Sequence, residues 1–478
     1  MTTISRSVLR RVGFVLVAVG IVAAGWSIVS ARQVVPPAAN PDTERADAFF
    51  GLDRVHTIHL TLSPESFDAM MPAGRAGRGF GFGGDDSGYP KVTATLEFGD
   101  RKWGTVTVRY KGNSSFRSAP SELKRSLKLE FDKPDKSRSF FGLTTLNLNN
   151  NAMDASQMRE ALAYDVFRRA GVTAPRTAFV RVYITVPGRY DRRYAGLFTA
   201  IEQIDQRFFR DRWGDRVGVL VKPERLGGLP DYGDDWTAYE RPYSSKVDAQ
   251  PAAAKRFMAF VRFVNTASAD EFAATLGDYL DVDGFLRFLA GEVVLVNVDS
   301  PLGMNHNYWV TVHPKTNKVV WLPWDLNMSF GGFMSGSADL SLMQPAGRGM
   351  FPLAERVLAI PAFAERYRAI VKEMVETNVS LARLGPAMTD TAAVIREAVL
   401  ADPTTSAPRF EANFAEGDGP GTDTFSGGGG FGRGRSGPPL RRFLAERLDS
   451  VKGQLDGTRT GTPGRSGRGG FGGFGGFQ

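Results

Sequence analysis

Acidic and amide side chains recur in three short segments of the second half of the chain. The segments are Asn297-Val298-Asp299-Ser300, Asn305-His306-Asn307-Tyr308 and Trp324-Asp325-Leu326-Asn327. Hard cations such as Mg²⁺ prefer carboxylate and amide oxygens as ligands, and phosphoryl transfer also needs a carboxylate to orient the attacking hydroxyl. A predicted strand pair would return Asp325 beside Asn307, with Asp299 close by. The alternative is that Asp299 caps a turn while Asn307 and Asp325 lie in solvent at the ends of a hairpin.

The first half of the chain supplies the cationic side chains. Lys111-Gly112-Asn113-Ser114-Ser115 follows a predicted strand, and the backbone N–H groups of such a small-residue turn could face a phosphate. Lys128 lies in the middle of a strand, where a lysine is ordinarily solvated. Glu160 opens a helix, where a carboxylate also complements the helix dipole without any further role.

Two periodicities divide the chain into the elements that must position these residues. Alternation of apolar and polar residues predicts strands at Val55–Leu62, Lys91–Phe98, Lys102–Tyr110, Ser126–Phe131, Ala178–Val186, Tyr194–Ile201, Val217–Val221, Tyr308–Val312 and Lys318–Leu322. Helical spacing predicts helices within Asp154–Ala170, Ala252–Val296, Leu353–Leu400 and Leu440–Leu455. This order predicts an α+β fold with a β-rich N-terminal lobe and a helix-rich C-terminal lobe. A ligand is then expected in the cleft between the lobes.

Composition excludes several classes of site. The 478 residues include no Cys, so there are no disulfides, thiolate metal sites or cysteine nucleophiles. The four His are scattered, and the sequence has no GxSxG, HExxH or CxxC motif. The formal net charge of +8 favours acidic partners such as phosphates, anionic lipid or acidic protein segments.

The N-terminal segment has the pattern of an export signal. Arg6, Arg10 and Arg11 precede an apolar run from Val12 to Val29, which is long enough for either a signal peptide or a membrane anchor. We assign residues 1–32 to this signal or anchor and residues 33–50 to a linker. Both alternatives predict an extracytoplasmic protein, secreted or membrane-anchored.

Three Gly-rich tracts, at residues 74–88, 426–439 and 458–478, have too few aliphatic residues to form a core. Residues 74–88 are predicted to be a loop inserted in the folded domain, which we assign to residues 51–415. Residues 416–478 form a Gly/Arg/Phe-rich C-terminal region with one short helix. RNA-binding tails have a similar composition, but export favours a surface tail over a nucleic-acid partner. Hydroxyls in this tail are possible substrates of the chain itself: Thr458, Thr460, Thr462 and Ser466.

Together these segments resemble the CotH family of spore-coat kinases. The resemblance spans about residues 55–332 and rests on the order and spacing of several motifs. These are Lys111-Gly112-Asn113-Ser114-Ser115, Lys124-Arg125-Ser126-Leu127-Lys128-Leu129-Glu130-Phe131, Leu146-Asn147-Leu148-Asn149, Arg159-Glu160-Ala161-Leu162-Ala163-Tyr164-Asp165, Glu202-Gln203-Ile204-Asp205, Asn297-Val298-Asp299-Ser300 and Pro323-Trp324-Asp325-Leu326.

The resemblance implies an atypical protein-kinase-like fold that uses ATP and Mg²⁺. In that fold Lys128 would contact the nucleotide phosphates and pair with Glu160, Asp299 would be the catalytic aspartate, and Asp325 and Asn307 would bind the metal. Further nucleotide contacts would come from Lys124, Arg125, Asn113, Ser114, Glu202 and Lys222. The chain departs from ordinary kinases because it lacks a glycine-triad loop in strand context and the HRD and DFG motifs.

Two functions follow from the resemblance. One is the transfer of phosphate from ATP·Mg²⁺ to Ser or Thr hydroxyls of a protein, including the chain's own tail. The other is a catalytically inactive kinase-like scaffold of a cell-surface or spore-coat-type layer. The combination of Lys128, Asp299, Asn307 and Asp325 favours the enzyme, whereas the scarcity of ATP outside the cytoplasm favours the scaffold.

Overall fold

Alternating apolar and polar residues in the first half of the chain form the strands of a closed barrel. The computed structural model describes residues 45–72, 88–333, 336–415 and 437–465. The barrel strands are β1 (Gly51–Thr61), β2 (Val92–Phe98), β3 (Arg101–Tyr110), β4 (Leu127–Glu130), β5 (Thr145–Asn149), β6 (Thr177–Val186) and β7 (Tyr190–Glu202). Their order around the barrel is β1-β2-β3-β4-β5-β7-β6, and a parallel pairing of β6 with β1 closes it.

A second, three-stranded sheet lies in the second half of the chain. Its strands are β8 (Leu220–Val221), β9 (Tyr308–Val312) and β10 (Val319–Pro323), in the order β10-β9-β8. In the hairpin of β9 and β10, Tyr308 is opposite Pro323. Asn307 and Asp325 therefore flank the same end of this hairpin.

The other regular elements of the described residues are helices. The helices are α1 (Ala46–Phe49), α2 (Pro64–Ala69), α3 (Ser114–Arg117), α4 (Arg159–Arg169), α5 (Gln206–Trp213), α6 (Thr237–Glu240), α7 (Pro251–Thr266), α8 (Ala269–Tyr279), α9 (Val282–Val294), α10 (Pro352–Leu358), α11 (Pro361–Thr377), α12 (Leu381–Leu400), α13 (Ala407–Glu411) and α14 (Leu440–Leu455). A short 3₁₀ turn, Leu326–Met328, follows β10.

Two separate hydrophobic cores stabilise these elements. One fills the barrel, and the other holds the apolar faces of α4, α7, α9, α11 and α14. Strand β6 contributes to both, because neighbouring residues of a strand point to opposite faces: Val180 belongs to the barrel core and Phe179 to the helical core. Strand β7 does the same with Phe198 and Leu197. The outer face of these two strands thus joins the barrel to the helices.

Helix α4 packs in the helical core and begins later than the sequence pattern predicts. Asp154 accepts hydrogen bonds from the backbone N–H groups of Arg159 (2.8 Å) and Ser156 (2.9 Å). Asp154 therefore organises a turn that precedes the helix, whose N-cap residue is Met158. Glu160 consequently lies in the first turn of the helix.

The mixed α and β composition and the order of elements are confirmed. Closure of the barrel was not predicted, and neither were β5 and α5. Strand β5 has the sequence Thr145-Leu146-Asn147-Leu148-Asn149, and asparagine is depleted in strands. Strand β8 has only two residues, because the predicted strand Val217–Val221 is otherwise extended without regular pairing.

Three predicted features lie wholly or largely outside the described residues. They are the apolar run Val12–Val29, the Gly-rich insert at residues 74–88, and the tract that includes residues 416–436. Within the described ranges, no helix is both long enough and apolar enough to cross a membrane.

Candidate active site

Glu160 is a buried carboxyl at the start of α4. Its Oε2 accepts a hydrogen bond from Asn149 Nδ2 at 2.9 Å, and Asn149 Oδ1 accepts one from Lys111 Nζ at 2.7 Å. Burial raises the pKa of Glu160 to about 8; the negative charge of Asp325 adds to this rise, and Asn149 and Lys111 oppose it. Among the described residues, Glu160 Oε1 has no hydrogen-bond partner. The end of the barrel therefore presents a carboxyl group with unused bonding capacity.

Asp325 lies beside Glu160, where β10 has just ended. Its backbone N–H donates to the hydroxyl of Tyr164, which lies one helical turn after Glu160 in α4 (3.0 Å). Burial raises the pKa of Asp325, the charge of Lys111 opposes the rise, and Asp299 adds to it. A buried and a partly buried carboxyl that each disfavour the ionised form of the other make a site that a bound cation would stabilise.

Asp299 and Asn307 are joined directly. Asn307 Nδ2 donates to the backbone oxygen of Asp299 at 2.7 Å and to its Oδ2 at 3.4 Å. The imidazole Nε2 of His306 is 2.8 Å from Asp299 Oδ1. Trp324 N–H donates to Asn307 O at 3.1 Å, so the hairpin fixes Asn307 next to the residue that precedes Asp325.

His306 lies between two carboxylates. Its Nε2 contacts Asp299, and its Nδ1 is 3.9 Å from Glu224 Oε2. Burial disfavours the protonated imidazole, but the hydrogen bond to Asp299 and the nearby negative charges outweigh burial and raise the pKa of His306. Protonated His306 donates to Asp299 Oδ1 and so holds this carboxylate in one orientation.

Strained backbone is concentrated around these residues. Val296, Asn307, Asp325 and Phe330 have φ angles of 49°, 61°, 53° and 58°. Positive φ is uncommon for residues other than glycine, and it is a clear outlier for β-branched Val296. Such conformations persist where the surrounding packing enforces them, and they cluster at functional sites.

The donor set fits a hard cation. Asp325 supplies carboxylate oxygens and Asn307 an amide oxygen, while Glu160 Oε1 is a buried acceptor without a partner among the described residues. No group of three or more His, Asp or Glu side chains in the described ranges is arranged to hold a metal ion.

Residues 108–418, more than half of the chain, match the model of the family described as "CotH kinase protein". The chain belongs to this CotH family. It is 24% identical over 288 residues to the inner spore coat protein H of Bacillus subtilis, an alignment covering 59% of this chain and 75% of that protein. The inner spore coat protein H-like protein of Bacillus subtilis is 25% identical over 256 residues, covering 52% of this chain and 67% of that protein. The spore coat protein homolog 1 of Rhizopus delemar is 26% identical over 258 residues, but only 39% of its length is covered.

The CotH resemblance predicted from the motifs is thus confirmed, and the matched range contains the whole candidate site. Asp299, Asn307, Asp325 and Glu160 are brought together as the sequence predicts. Lys222 also belongs here, because it pairs with Glu224 and its charge acts on Asp325.

Lys111, and not Lys128, is the lysine that the structure links to Glu160 through Asn149. Lys128, in β4, pairs with Asn147 of β5. Its positive charge lowers the pKa of Asp205. Lys111 instead contacts Asn149, which bonds Glu160. Lys111 belongs to one of the CotH motifs. The pattern around it predicted a phosphate-facing turn, and no role was predicted for its side chain.

Two predicted nucleotide contacts, Lys124 and Glu202, are engaged in buried ion pairs. Lys124 is 1% exposed and donates to Asp402 Oδ2 at 2.6 Å. Glu202, also 1% exposed, accepts hydrogen bonds from Arg212 (2.6 Å) and from Arg176 Nε (3.1 Å). Neither side chain is available to a nucleotide, so both predictions are corrected to structural roles.

The remaining predicted contacts lie along the turn after β3 and at the start of β4. Asn113 precedes α3 and Ser114 begins it; contact between these residues and phosphate stays a prediction. The guanidinium of Arg125 lies over the rings of Tyr110 and Phe116, 5.3 and 4.7 Å from their centroids. Such stacking favours a packing role for Arg125.

Four further residues of the site were not predicted from the sequence: Asn149, Tyr164, Glu224 and His306. Asn149 and Tyr164 belong to CotH motifs, and this membership could have identified them. His306 could have been identified because it is adjacent to Asn307, a predicted metal ligand. Glu224 had no comparable signal, because it follows a short strand whose placement depends on the second sheet.

The predicted tail substrates are only partly described. Thr458, Thr460 and Thr462 are exposed, and the backbone of Thr462 bonds to Asp339 and Ser341. Ser466 lies outside the described residues.

Proposed function

We propose that this CotH protein is an atypical kinase that transfers the γ-phosphoryl group of ATP to Ser or Thr hydroxyls of a protein. The observation that carries the proposal is the meeting of two residue sets at one place. Asp299, Asn307 and Asp325 come from the helix-rich half, and the pair of Lys111 and Glu160 is bridged by Asn149 at the end of the barrel. A scaffold has no physical need for buried carboxyls with perturbed pKa values at such a junction.

The kinase-like two-lobed arrangement is part of this proposal. The barrel with its own core would take the part of the nucleotide-binding lobe, and the helical core would carry the catalytic segments. ATP·Mg²⁺ would lie between Lys111 and Asp325. This placement is supported by the charges: the nucleotide phosphates would meet Lys111 and Lys222, while the cation would meet Asp325.

Each residue has a distinct proposed role. Asp325 and Asn307 would hold Mg²⁺, which supplies neutralisation of the phosphate charge. Lys111 would contact the phosphates and be oriented by Asn149 and Glu160. Asp299 would accept the proton of the substrate hydroxyl as its oxygen attacks the γ-phosphorus and ADP leaves, a division of work found in phosphoryl transfer generally.

The location of the protein is proposed from two lines of support. Its relatives are named as spore coat proteins, and its N-terminal sequence has the pattern of an export signal or anchor. We therefore propose an extracytoplasmic protein of a coat or cell-surface layer, with Ser- or Thr-containing proteins of that layer as substrates.

The test is transfer from γ-labelled ATP, with mass spectrometry of both the full-length chain and an added Ser-rich protein. Asp325→Ala should abolish Mg²⁺-dependent nucleotide binding in calorimetry. Asp299→Asn should keep binding but lose transfer, because Asp299 acts on the nucleophile and not on the metal. Asp283→Asn is the matched control, since Asp283 is an exposed carboxylate paired with Arg366, and it should behave like the parent.

Three outcomes would contradict the proposal in different ways. Equal loss of binding in Asp299→Asn and Asp325→Ala would merge the two roles. Nucleotide binding without transfer to any protein would favour the inactive scaffold. Transfer of another part of the nucleotide would keep the site but change the reaction.

A further inference from the structure

The side chain of Arg447, in α14, is buried at 1% exposure in the helical core. Its guanidinium donates hydrogen bonds to backbone oxygens of two separate segments. At the end of α9 it bonds Val293 O (3.0 Å) and Val294 O (3.4 Å). In the segment that follows Asp325 it bonds Ala338 O (2.8 Å) and Leu340 O (2.7 Å).

Burial of a guanidinium against carbonyl oxygens is energetically demanding. Burial lowers the pKa of Arg447 to about 10, so the group stays charged at neutral pH. The last carbonyls of a helix lack partners within the helix and carry the negative end of its dipole. Arg447 donates to two carbonyls at the end of α9, of which Val293 O also accepts from the backbone N–H of Val296, and it reaches a second segment at the same time.

The two segments joined by Arg447 each lead to a proposed catalytic group. Helix α9 ends at Val294 and continues directly into the loop that carries Asp299. The other contacts of Arg447 are in residues 336–344, which come after Asp325 in the sequence, and between these two places Phe330 N–H donates to Leu295 O. Arg159, next to Glu160, also donates to Phe330 O at 3.0 Å.

Other residues near the C-terminus hold the same segment. Gln454 Nε2 donates to Leu340 O at 3.2 Å, and Gln454 Oε1 accepts from Leu342 N–H at 2.9 Å. Ser341 N–H donates to Thr462 O at 2.8 Å. Residues 437–465 lie outside the range that matches the CotH family, residues 108–418, yet they fix a segment that continues from the proposed metal ligand.

We propose that Arg447 is a positioning residue, which fixes the loop bearing Asp299 relative to the segment that follows Asp325. The proposal rests on the proposed kinase function for its consequence in activity. It does not need that function for its structural content, which is the coupling of two segments through one side chain.

The test uses the full-length chain with Arg447→Lys, and Arg356→Lys as the control. The N–H donors of a lysine are all on one nitrogen atom, so a lysine does not bond both segments as the planar guanidinium does. Arg356 has the same kind of role at a distance from the site: it donates to the backbone oxygens of Val264 and Ala267 at the end of α7. Arg356 is only partly buried and bonds a single stretch of chain, so its variant controls for the loss of a guanidinium at a helix end.

With ATP·Mg²⁺ and a protein substrate, kcat of Arg447→Lys should fall by about 10- to 100-fold, because misplacement of about 1 Å is enough for such a loss. Its KM for ATP should change by less than about threefold, since none of the proposed metal or phosphate ligands is replaced. Arg356→Lys should keep kcat within about twofold of the parent. If Arg447→Lys only lowered the melting temperature and kept the parent's kcat per folded molecule, the positioning role would be overturned.

Amide hydrogen exchange gives a readout that does not depend on activity. Arg447→Lys should exchange faster in residues 293–300 and 336–344, and Arg356→Lys in residues 260–270. If the parent transfers no phosphate, the proposed function fails, but the exchange pattern still decides the role of Arg447. Unchanged exchange in both segments of Arg447→Lys would refute it.

Gln454→Ala is a second variant, in case Arg447→Lys does not fold. It removes a contact of α14 with residues 340–342 and leaves the end of α9 untouched. Faster exchange is expected in residues 336–344 alone, with a loss of kcat smaller than about tenfold. Parent-like exchange and kcat in this variant would show that α14 does not hold the segment.

Discussion

Replacement of Glu160 by glutamine is expected to stabilise the metal-free fold above about pH 7 while it disables the site. Glu160 is 2% exposed, and burial together with the charge of Asp325 raises its pKa to about 8. Glutamine preserves the shape and keeps an acceptor for Asn149, but it carries no charge to be desolvated. The variant should therefore lack a penalty that the parent suffers when Glu160 ionises.

The size and direction of the effect follow from the two pKa values. In the unfolded chain Glu160 has the ordinary value of 4.5, so the folded state binds its proton more tightly. The stabilisation from this proton is fully present below pH 4.5, is lost as pH rises, and is gone above about pH 8. At about 1.4 kcal/mol per pKa unit, the difference between the folded and unfolded pKa values of Glu160 limits the cost of its ionisation in the fold to about 5 kcal/mol. Because the charge is shared with Asp325, we expect about 2–3 kcal/mol at pH 8.5.

The assay is urea unfolding of the full-length parent and Glu160→Gln in EDTA, at pH 5 and pH 8.5. The free energy of unfolding of the two proteins should differ little at pH 5, and the variant should be the more stable at pH 8.5. Glu376→Gln, at an exposed position of α11, is the control and should show no pH-dependent difference from the parent. In a transfer assay with ATP·Mg²⁺, Glu160→Gln should lose most activity, because a bound cation would favour the ionised form of Glu160 and glutamine cannot supply that charge.

A constant difference in stability between pH 5 and pH 8.5 would refute the conclusion that the fold forces Glu160 towards its neutral form. A variant that is stabilised at pH 8.5 but keeps full activity would instead show that the charge of Glu160 is not needed to orient Lys111. The two results separate the electrostatics of the fold from the proposed chemistry.

Further substitutions test the assignments of the three lysines. Lys111→Met should lower kcat/KM for ATP by at least about 100-fold, as expected for loss of a charged phosphate contact, whereas Lys128→Met should change it by less than about threefold; the reverse order would return the phosphate contact to Lys128. Double replacement of Lys111 and Glu160 should be little worse than either single change, because the two side chains act through one network, and strictly additive losses would contradict the coupling. Lys124→Met should cost about 3–5 kcal/mol in urea unfolding, because it leaves Asp402 buried without its cation. Asp402→Asn in the same background should recover part of that loss, and no recovery would mean that packing, not charge, is responsible.

The sequence by itself determined most of the strands, and it also determined that Asn307 and Asp325 lie close together. Alternation of apolar residues located most of the strands, because the side chains of a strand reach one core with a period of two. The hairpin β9–β10 was predicted from a short stretch of chain, and a hairpin necessarily returns its second strand beside the first. The proximity of Asn307 and Asp325 was therefore available from the sequence, as was the CotH family.

The tertiary structure decided which cation meets Glu160. Lys111 and Lys128 are both in or next to strands, and periodicity alone does not distinguish them. The register of β4 against β5 places Lys128 opposite Asn147. Lys111 instead donates a hydrogen bond to Asn149. Register depends on how a strand pairs with its neighbours in the sheet, so a single strand does not reveal it.

Contacts between distant parts of the chain were also decided only by the tertiary structure. Lys124 pairs with Asp402, 278 residues later in the sequence, and Arg447 bonds Val293 and Leu340 from α14. A buried charge must find its partners in whatever the fold brings near, and local patterns carry no information about that choice. The sequence thus determined the elements, the family and the aspartates of the candidate site, while long-range packing decided which charged side chains serve the site and which serve the fold.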